Sequence, residues 1–462
     1  MTPVDPVRTD AESLQRGLRM AAPPDQEALL REAQWLDQLE RGPWTSRIRG
    51  YMSLSGPGYL QSALTLGAGT ATASLFSGAV FGYQLLWVAP ASMALGVIVL
   101  AAVAHQTLST GLRPLPAMRK FAGAPFAIAW AASSLLASIV WHVPQYNLAA
   151  SSVVDLCAVL GFEGVPAIAA SPLLLLAAVW LSWSYGRSPV LVRRYEAFCK
   201  ILIWATVASL VWVVANTSTD WAGVVAGFWP SIPQDRDGHS AFGMVASGLA
   251  AAVGVNMTFL YPYSLLARGW GRSHRGLAKC DLACGMLLPY ALATSLMTIA
   301  AANTLYGGDP VGKGAAISEV SRVLGSVLGA TLGRVVFDLG MLAMAFSTIS
   351  LHMLVCGFVA TEWFGCEVGS RRHRLWQLLP APAAIAPALF AAVPVWIAVP
   401  TNIACGALLP LSYFAFWKLQ RSRAYLGADL PRGLGATLWS LGILVAVLVP
   451  TIAIGLYVMS LL

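Results

Sequence analysis

Charge is what this chain has least of. Only 11% of its 462 residues are Asp, Glu, Lys or Arg, against about 25% in an ordinary soluble domain. With 57% of its residues hydrophobic, most of the chain must face lipid or other helices. Carboxylates are scarcer still beyond the first 50 positions. Eight of the 21 (Asp5, Asp10, Glu12, Asp25, Glu27, Glu32, Asp37 and Glu40) lie there, leaving 13 for the other 412 residues. That opening stretch has no apolar core with a cleavage site, so it is not a signal peptide. Residues 1–50 read as a polar cytosolic tail, weakly amphipathic over Ser13 to Leu18 and Glu27 to Leu39.

Other absences narrow the function. The cysteines number seven (Cys157, Cys199, Cys280, Cys284, Cys356, Cys366 and Cys405), an odd count mostly set in apolar runs. Cys280 and Cys284 share one-turn helical spacing, but no His or Cys pair follows at zinc-site distance, so all seven read as packing residues. No nucleophile pairs with a base and no phosphate-binding Walker motif occurs. Neither an enzyme nor a cofactor is expected. The net charge of +8 invites a nucleic-acid partner, yet the basic residues alternate with apolar runs instead of forming a patch. No nucleic-acid partner is expected; the lipid bilayer is.

What the chain has is long apolar runs. About 20 such residues cross a bilayer, and eleven segments qualify: 56–79, 82–108, 124–150, 167–186, 195–216, 241–266, 281–303, 334–364, 378–399, 401–418 and 435–461. They are numbered here as spans 1 to 11. With the N-terminus inside, the inner loops hold 18 Lys and Arg residues, the outer loops four (Arg236, Lys313, Arg322 and Arg334) and the tail seven. Positive charge stays on the cytosolic side, so a cytosolic N-terminus, an outer C-terminus and a bacterial inner membrane are expected.

Two runs are interrupted. Gly67-Ala68-Gly69-Thr70 interrupts span 1, and Gly254-Val255-Asn256-Met257-Thr258, followed by Pro262, interrupts span 6. Backbone in lipid must satisfy its own hydrogen bonds, so breaks survive only where protein or a wet cavity receives the freed groups. Paired breaks in corresponding halves point to a transporter's binding site. Five spans separate them, and an odd repeat inverts topology. Repeat one is then 56–216, repeat two 241–418, and 435–461 an extra helix. A Gly-rich packing seam through Gly56, Gly58, Gly67, Gly69 and Gly78 is the alternative for span 1.

The run Gly56-Pro57-Gly58, Gly67-Ala68-Gly69-Thr70 and Phe81-Gly82-Tyr83 to Leu86-Trp87 resembles the first two helices of the Nramp metal-ion transporters. So do Arg194 to Lys200, Gly227-Phe228-Trp229-Pro230, Ser347-Thr348-Ile349, Gly357-Phe358, and Asn402 ahead of Pro410. The resemblance spans nearly the whole chain after the tail. It implies an all-α integral membrane protein of LeuT-type fold, a 5+5 inverted repeat plus an eleventh helix, with helices 1 and 6 discontinuous.

The departures from the family fall on its chemistry. Nramp transporters hold a divalent ion with the Asp and Asn of an Asp-Pro-Gly-Asn break and with a Met and a carbonyl in helix 6. Here that break falls on Gly67-Ala68-Gly69-Thr70, and Met-Pro-His falls on Met257-Thr258-Phe259 or one residue later. The carboxylate, the helix-6 histidine, the helix-3 acid and the span-9 arginine pair are missing. Candidate substrate-binding residues are Gly67, Thr70, Val255, Asn256, Met257, Thr258 and Asn402; the candidate metal ligands are Thr70, Asn256, Met257 and Asn402. His142, deep in span 3 beside Pro144, is the candidate proton or gating group, or else a neutral histidine bonded to a freed carbonyl. His105 and His352 read as structural. Asp338 is expected to pair with Arg334, Glu196 to make a helix-end ion pair with Arg193 and Lys200, and Asp281 to open span 7.

The expected function is secondary transport of a divalent cation by alternating access, with hydrated Mg²⁺ as one cargo suited to a neutral site. With few relay groups, coupling to protons is expected to be weak or absent. A LeuT-fold carrier of a small organic solute, such as an amino acid or carboxylate, and a non-transporting membrane scaffold stay open as alternatives.

Overall fold

The computed structural model describes residues 17–307, 331–389 and 398–459. Lys313, Arg322, part of span 9 and most of Ser13 to Leu18 lie outside the described residues. Nine described helices are long and apolar enough to cross a membrane, and a bent pair supplies a tenth. That pair is span 1, Pro57–Thr65 and Ala68–Phe81, set at 58° to each other. Span 6 is divided as well, into Ala241–Ala252 and Val255–Ala267.

Both breaks are shorter than the sequence suggests. In span 1 only Leu66 and Gly67 leave helical geometry, and Ala68 to Thr70 already form the next turn. In span 6 the break is Val253 and Gly254, while Val255 to Thr258 are helical. Pro262 sits inside an uninterrupted helix and plays no part in the break.

The helix neighbours show the inverted repeat. Span 7 (Arg272–Thr304) packs against both halves of span 1, and span 2 (Val88–Thr110) packs against both halves of span 6. This is the exchange expected of a two-fold axis in the membrane plane. Span 3 (Ala124–Val159) lies along span 8 (Leu332–Phe364). Span 3 bends at Trp141, where helix Ala124–Val140 ends and helix His142–Val159 begins. Pro144 therefore falls in a first turn, where proline is tolerated.

Buried charge sits at the ends of the bundle. Asp281 does not open span 7, as expected above. It lies within that span, where helix Arg275–Asp281 passes into a π-helical turn, Leu282–Leu287. Its carboxylate instead accepts hydrogen bonds from the Gly56 and Gly58 N–H groups at 3.0 and 2.5 Å, and from the Ser55 hydroxyl. An anion there satisfies amide groups that a helix start leaves open and complements its dipole. Gly58 must be glycine, because a Cβ would stand 2.2 Å from the Asp281 carbonyl oxygen. Gly78 likewise presses on span 7, at Thr298. The packing-seam reading thus holds for the ends of span 1, and the broken-helix reading for its middle.

Two further ion pairs differ from expectation. Glu196 bonds Arg268 at 2.5 Å, not its sequence neighbours, because both side chains project into the junction of spans 5 and 6. Arg334 makes a two-pronged pair with Asp155 of span 3, one contact at 3.0 Å. Its fork reaches across the bundle, while the Asp338 carboxylate on its own helix also acts on it through charge.

The tail is packed, not free. Met20 bridges Val368 as a short parallel strand contact, and helix Gln26–Arg41 buries Leu36 completely. A second helix, Trp44–Leu54, runs through the expected boundary at residue 50 and ends just before span 1. Glu32 meets His274 at 3.3 Å and Arg193 at 3.4 Å, tying the tail to two arginine-rich loops. Burial raises the Glu32 carboxyl, but the His274 hydrogen bond and the charges of Arg268 and Arg193 outweigh it and hold it below its usual 4.5. Docking through Glu32 is therefore complete above that value and lost as pH falls through the lowered one. Amide protection in Gln26–Arg41, taken relative to the intrinsic exchange rate at each pH, should be high at about pH 7 and lost well below pH 4, and Glu32→Gln should lower it at both. For the span 1 start, Asp281→Ala leaves two buried N–H groups without acceptors. It should cost about 3 kcal/mol or more, read as a lowered melting temperature in detergent.

Candidate functional site

A small cavity lies where the two breaks face each other. Its wall includes Gly67, Gly69 and Thr70 of span 1, Gly254, Asn256 and Met257 of span 6, and Asn402 of span 10. Thr65 of span 1, Trp141 and Gln145 of span 3, and Thr348 and His352 of span 8 complete the polar part of the lining. The void open to the centres of water-sized molecules is about 30 Å³, room for roughly two waters.

Neutral side chains hold the broken backbone open. The Ala68 N–H, exposed at the start of the second half-helix of span 1, donates to Gln145 Oε1 at 2.8 Å. The Thr348 hydroxyl lies 3.0 Å from the Ala63 carbonyl and 3.2 Å from that of Leu66. Thr65 reaches across to the span 6 break, 2.8 and 2.9 Å from the Ala251 and Ala252 carbonyls. Thr70 donates to the Thr65 carbonyl at 2.6 Å. Asn402 Nδ2 donates to the Gly69 carbonyl at 3.2 Å and to Ser247 Oγ at 3.1 Å, while its Oδ1 accepts from Trp141 Nε1 at 3.1 Å. The Gly254 N–H points to Met257 Sδ at 3.2 Å.

One group is left over. Asn256 Nδ2 donates to Ser138 Oγ at 3.4 Å, but its Oδ1 is buried with no donor. A buried amide oxygen without a partner is costly, and here it belongs to a cavity-lining residue at the break.

Of the residues singled out above, Gly67, Thr70, Asn256, Met257 and Asn402 come together on this wall. Val255 and Thr258 do not. The Thr258 hydroxyl donates to the Val255 carbonyl at 2.5 Å and accepts from Trp130 Nε1 at 2.8 Å, and Ser134 also reaches that carbonyl at 3.2 Å. Both groups are consumed in joining span 6 to span 3. His142 stands behind the wall, its Nδ1 3.4 Å from His352 Nδ1 and not on a proline-freed carbonyl. His352, read as structural, lines the cavity. Gln145 and Thr348 were missed as wall residues, although an amide and a hydroxyl within apolar spans are the signal that would have found them.

Sequence and fold comparisons agree with this geometry. Residues 58–458 match the family described as natural resistance-associated macrophage protein-like, Nramp. The chain belongs to the Nramp family. Two relatives from Populus trichocarpa, metal transporter Nramp6.2 and metal transporter Nramp1, are 28% identical over 231 residues and 24% identical over 270. The matched segments take in 50% and 57% of this chain and 40% and 47% of those relatives, so the match spans less than half of either relative. A manganese transporter from Eremococcus coleocola superposes with a TM-score of 0.72 at 15% identity, covering 95% of this chain and 90% of that one. MhsT, solved with L-phenylalanine, superposes with a TM-score of 0.58 at 14% identity, over 87% of this chain and 98% of its own. Such likeness establishes the fold, a LeuT-type bundle in a multi-pass membrane protein.

As an Nramp protein, this chain has an unusual wall. It bears no carboxylate, and no group of three His, Cys, Asp or Glu side chains that could hold a metal occurs among the described residues. Any cation here would be met by amide and hydroxyl oxygens, a thioether and an imidazole. Gly69 fits this wall because a Cβ would stand 2.4 Å from Asn402 Oδ1. Gly69→Ala should displace Asn402, break its bond to Trp141 and fill the void. The expected result is loss of measurable ligand binding with a melting temperature lowered by only a few degrees, read by isothermal titration and thermal unfolding.

Proposed function

We propose that this Nramp protein carries a divalent metal cation across a membrane by alternating access, through the cavity between the two helix breaks. The observation that carries the reading is Asn256 Oδ1, a buried acceptor without a donor beside other oxygen and sulfur donors. No cationic side chain stands among the wall residues to receive a carboxylate. The void admits an ion with one or two waters and is too small for an amino acid in this conformation.

The donor set narrows the cargo. Thioether and imidazole suit borderline first-row ions, while Mg²⁺ gives up its waters reluctantly and usually keeps several. A first-row ion such as Mn²⁺, held after losing most of its waters, therefore fits better than hydrated Mg²⁺. Without a carboxylate to offset desolvation, affinity is expected to be low. A second small void shares Thr70 and Ala251 with the site and adds Ser74, Ser77, Thr294 and Thr298. These hydroxyls form a path from the cavity along spans 1 and 7, away from the arginine-rich end. That end, which positive-inside topology places in the cytosol, is closed by the Asp281 and Glu196–Arg268 contacts. Proton coupling is weak in this reading, since no carboxylate stands among the described wall residues.

The test is uptake into proteoliposomes with Mn²⁺, Mg²⁺ and Ca²⁺ indicators, against Thr70→Ala plus Asn256→Ala. Saturable Mn²⁺ flux that exceeds Mg²⁺ flux and is lost in the double variant is expected. Absence of any metal flux from folded protein would refute metal carriage. Mg²⁺ flux equal to that of Mn²⁺ would refute the proposed cargo. Internal acidification in fixed ratio to metal flux would overturn weak coupling.

A further inference from the structure

A larger cavity, of about 370 Å³, opens at the arginine-rich end of the bundle, between the end of span 10 (Ala398–Gln420) and the start of span 11 (Leu434–Met459). Its polar wall is Gln420, Arg421, Arg432, Thr437 and Ser440, and its deeper wall includes Leu441 and Leu444. Gln420 is buried, with 5% of its surface exposed. Its Oε1 accepts from Gln106 Nε2 at 2.9 Å, which orients the amide and leaves Nε2 with no acceptor. Trp417 Nε1 donates to Ser440 Oγ at 2.8 Å, leaving the Ser440 O–H available as a donor. The Arg421 guanidinium lies 5.2 Å above the Trp417 ring, held near the rim by an aromatic face. Neighbouring Asp429 is taken up by Arg272 and Arg275.

This wall offers two guanidinium groups and no carboxylate to match them. Below it, Leu434, Leu438 and Leu441 project from span 11 with 75, 59 and 52% of their surfaces exposed, the exposure of a lipid-facing stripe. We propose that the cavity binds the phosphodiester headgroup of an anionic phospholipid. Arg421 and Arg432 face the phosphate oxygens, with the Ser440 hydroxyl beside them, and one acyl chain lies along the leucine stripe. Arginine forks match phosphate geometry, and basic pockets between membrane helices are where such headgroups bind. A free phosphate would share the polar contacts but leave the stripe unused.

The test is native mass spectrometry of the delipidated full-length protein, offered phosphatidylglycerol and phosphatidylcholine together. One phosphatidylglycerol should be retained with about a tenfold or greater preference. Arg421→Gln plus Arg432→Gln should abolish that preference. Arg371→Gln plus Arg372→Gln, which removes equal charge from helix Arg371–Gln377 outside the cavity wall, should leave it intact. Thr437→Trp, placed at an exposed position to fill the cavity, should act like the first pair and guards against misfolding of that variant. Equal preference in every protein, or equal loss from both arginine pairs, would overturn the proposal. Displacement of the lipid by excess inorganic phosphate, with phosphate alone raising the melting temperature as much, would identify a free-phosphate site instead.

Discussion

A backbone that leaves its helix inside a bilayer has no water to turn to, and the centre of this protein is organised around that constraint. Two breaks free N–H and C=O groups at one depth, and side chains must receive them. Here Gln145 takes the Ala68 N–H, while Thr348 and Thr65 serve carbonyls on either side of the two breaks. These residues come from spans 1, 3 and 8, so the site is also where the helices of the bundle are joined.

All of these partners are neutral, and this has consequences elsewhere. Desolvating a lone charge next to the breaks would be costly, and the protein places its buried charges at the ends of the bundle instead. Asp281 caps the start of span 1, Glu196 and Arg268 join spans 5 and 6, and Asp155 and Arg334 join spans 3 and 8. Each pair connects elements that lie far apart in the chain. The docked tail adds Glu32, His274 and Arg193 to the same arginine-rich end. The middle is therefore lined by neutral polar groups, and the ends are joined by ion pairs.

That division bears on how a metal carrier could work without the carboxylate typical of its family. A cation entering this cavity gains amide, hydroxyl, sulfur and imidazole donors but no compensating charge. Weak binding favours release, which a carrier needs as much as capture. The paired His142 and His352 rings are the titratable side chains nearest the cavity from spans 3 and 8. They lie where a change in cavity occupancy would be felt by both spans.

Much of this protein could be read from its residues in order. Apolar runs of bilayer length set the spans, Lys and Arg placement set the expected orientation, and Gly67 and Gly254 marked the two breaks. These features are local, and lipid enforces them on any chain of this composition. Partnerships across the bundle were beyond such reading. Arg334 forks onto Asp155 of span 3, Asp281 caps a helix more than 200 residues away, and Val255 and Thr258 bond to each other and to span 3. Gln145 and His352 become part of the wall only because spans 3 and 8 cross at the breaks. Hydrophobic periodicity reports which residues avoid water, but not which helix faces which. The choice among long-range polar partners is made by packing, and only the folded bundle decided it.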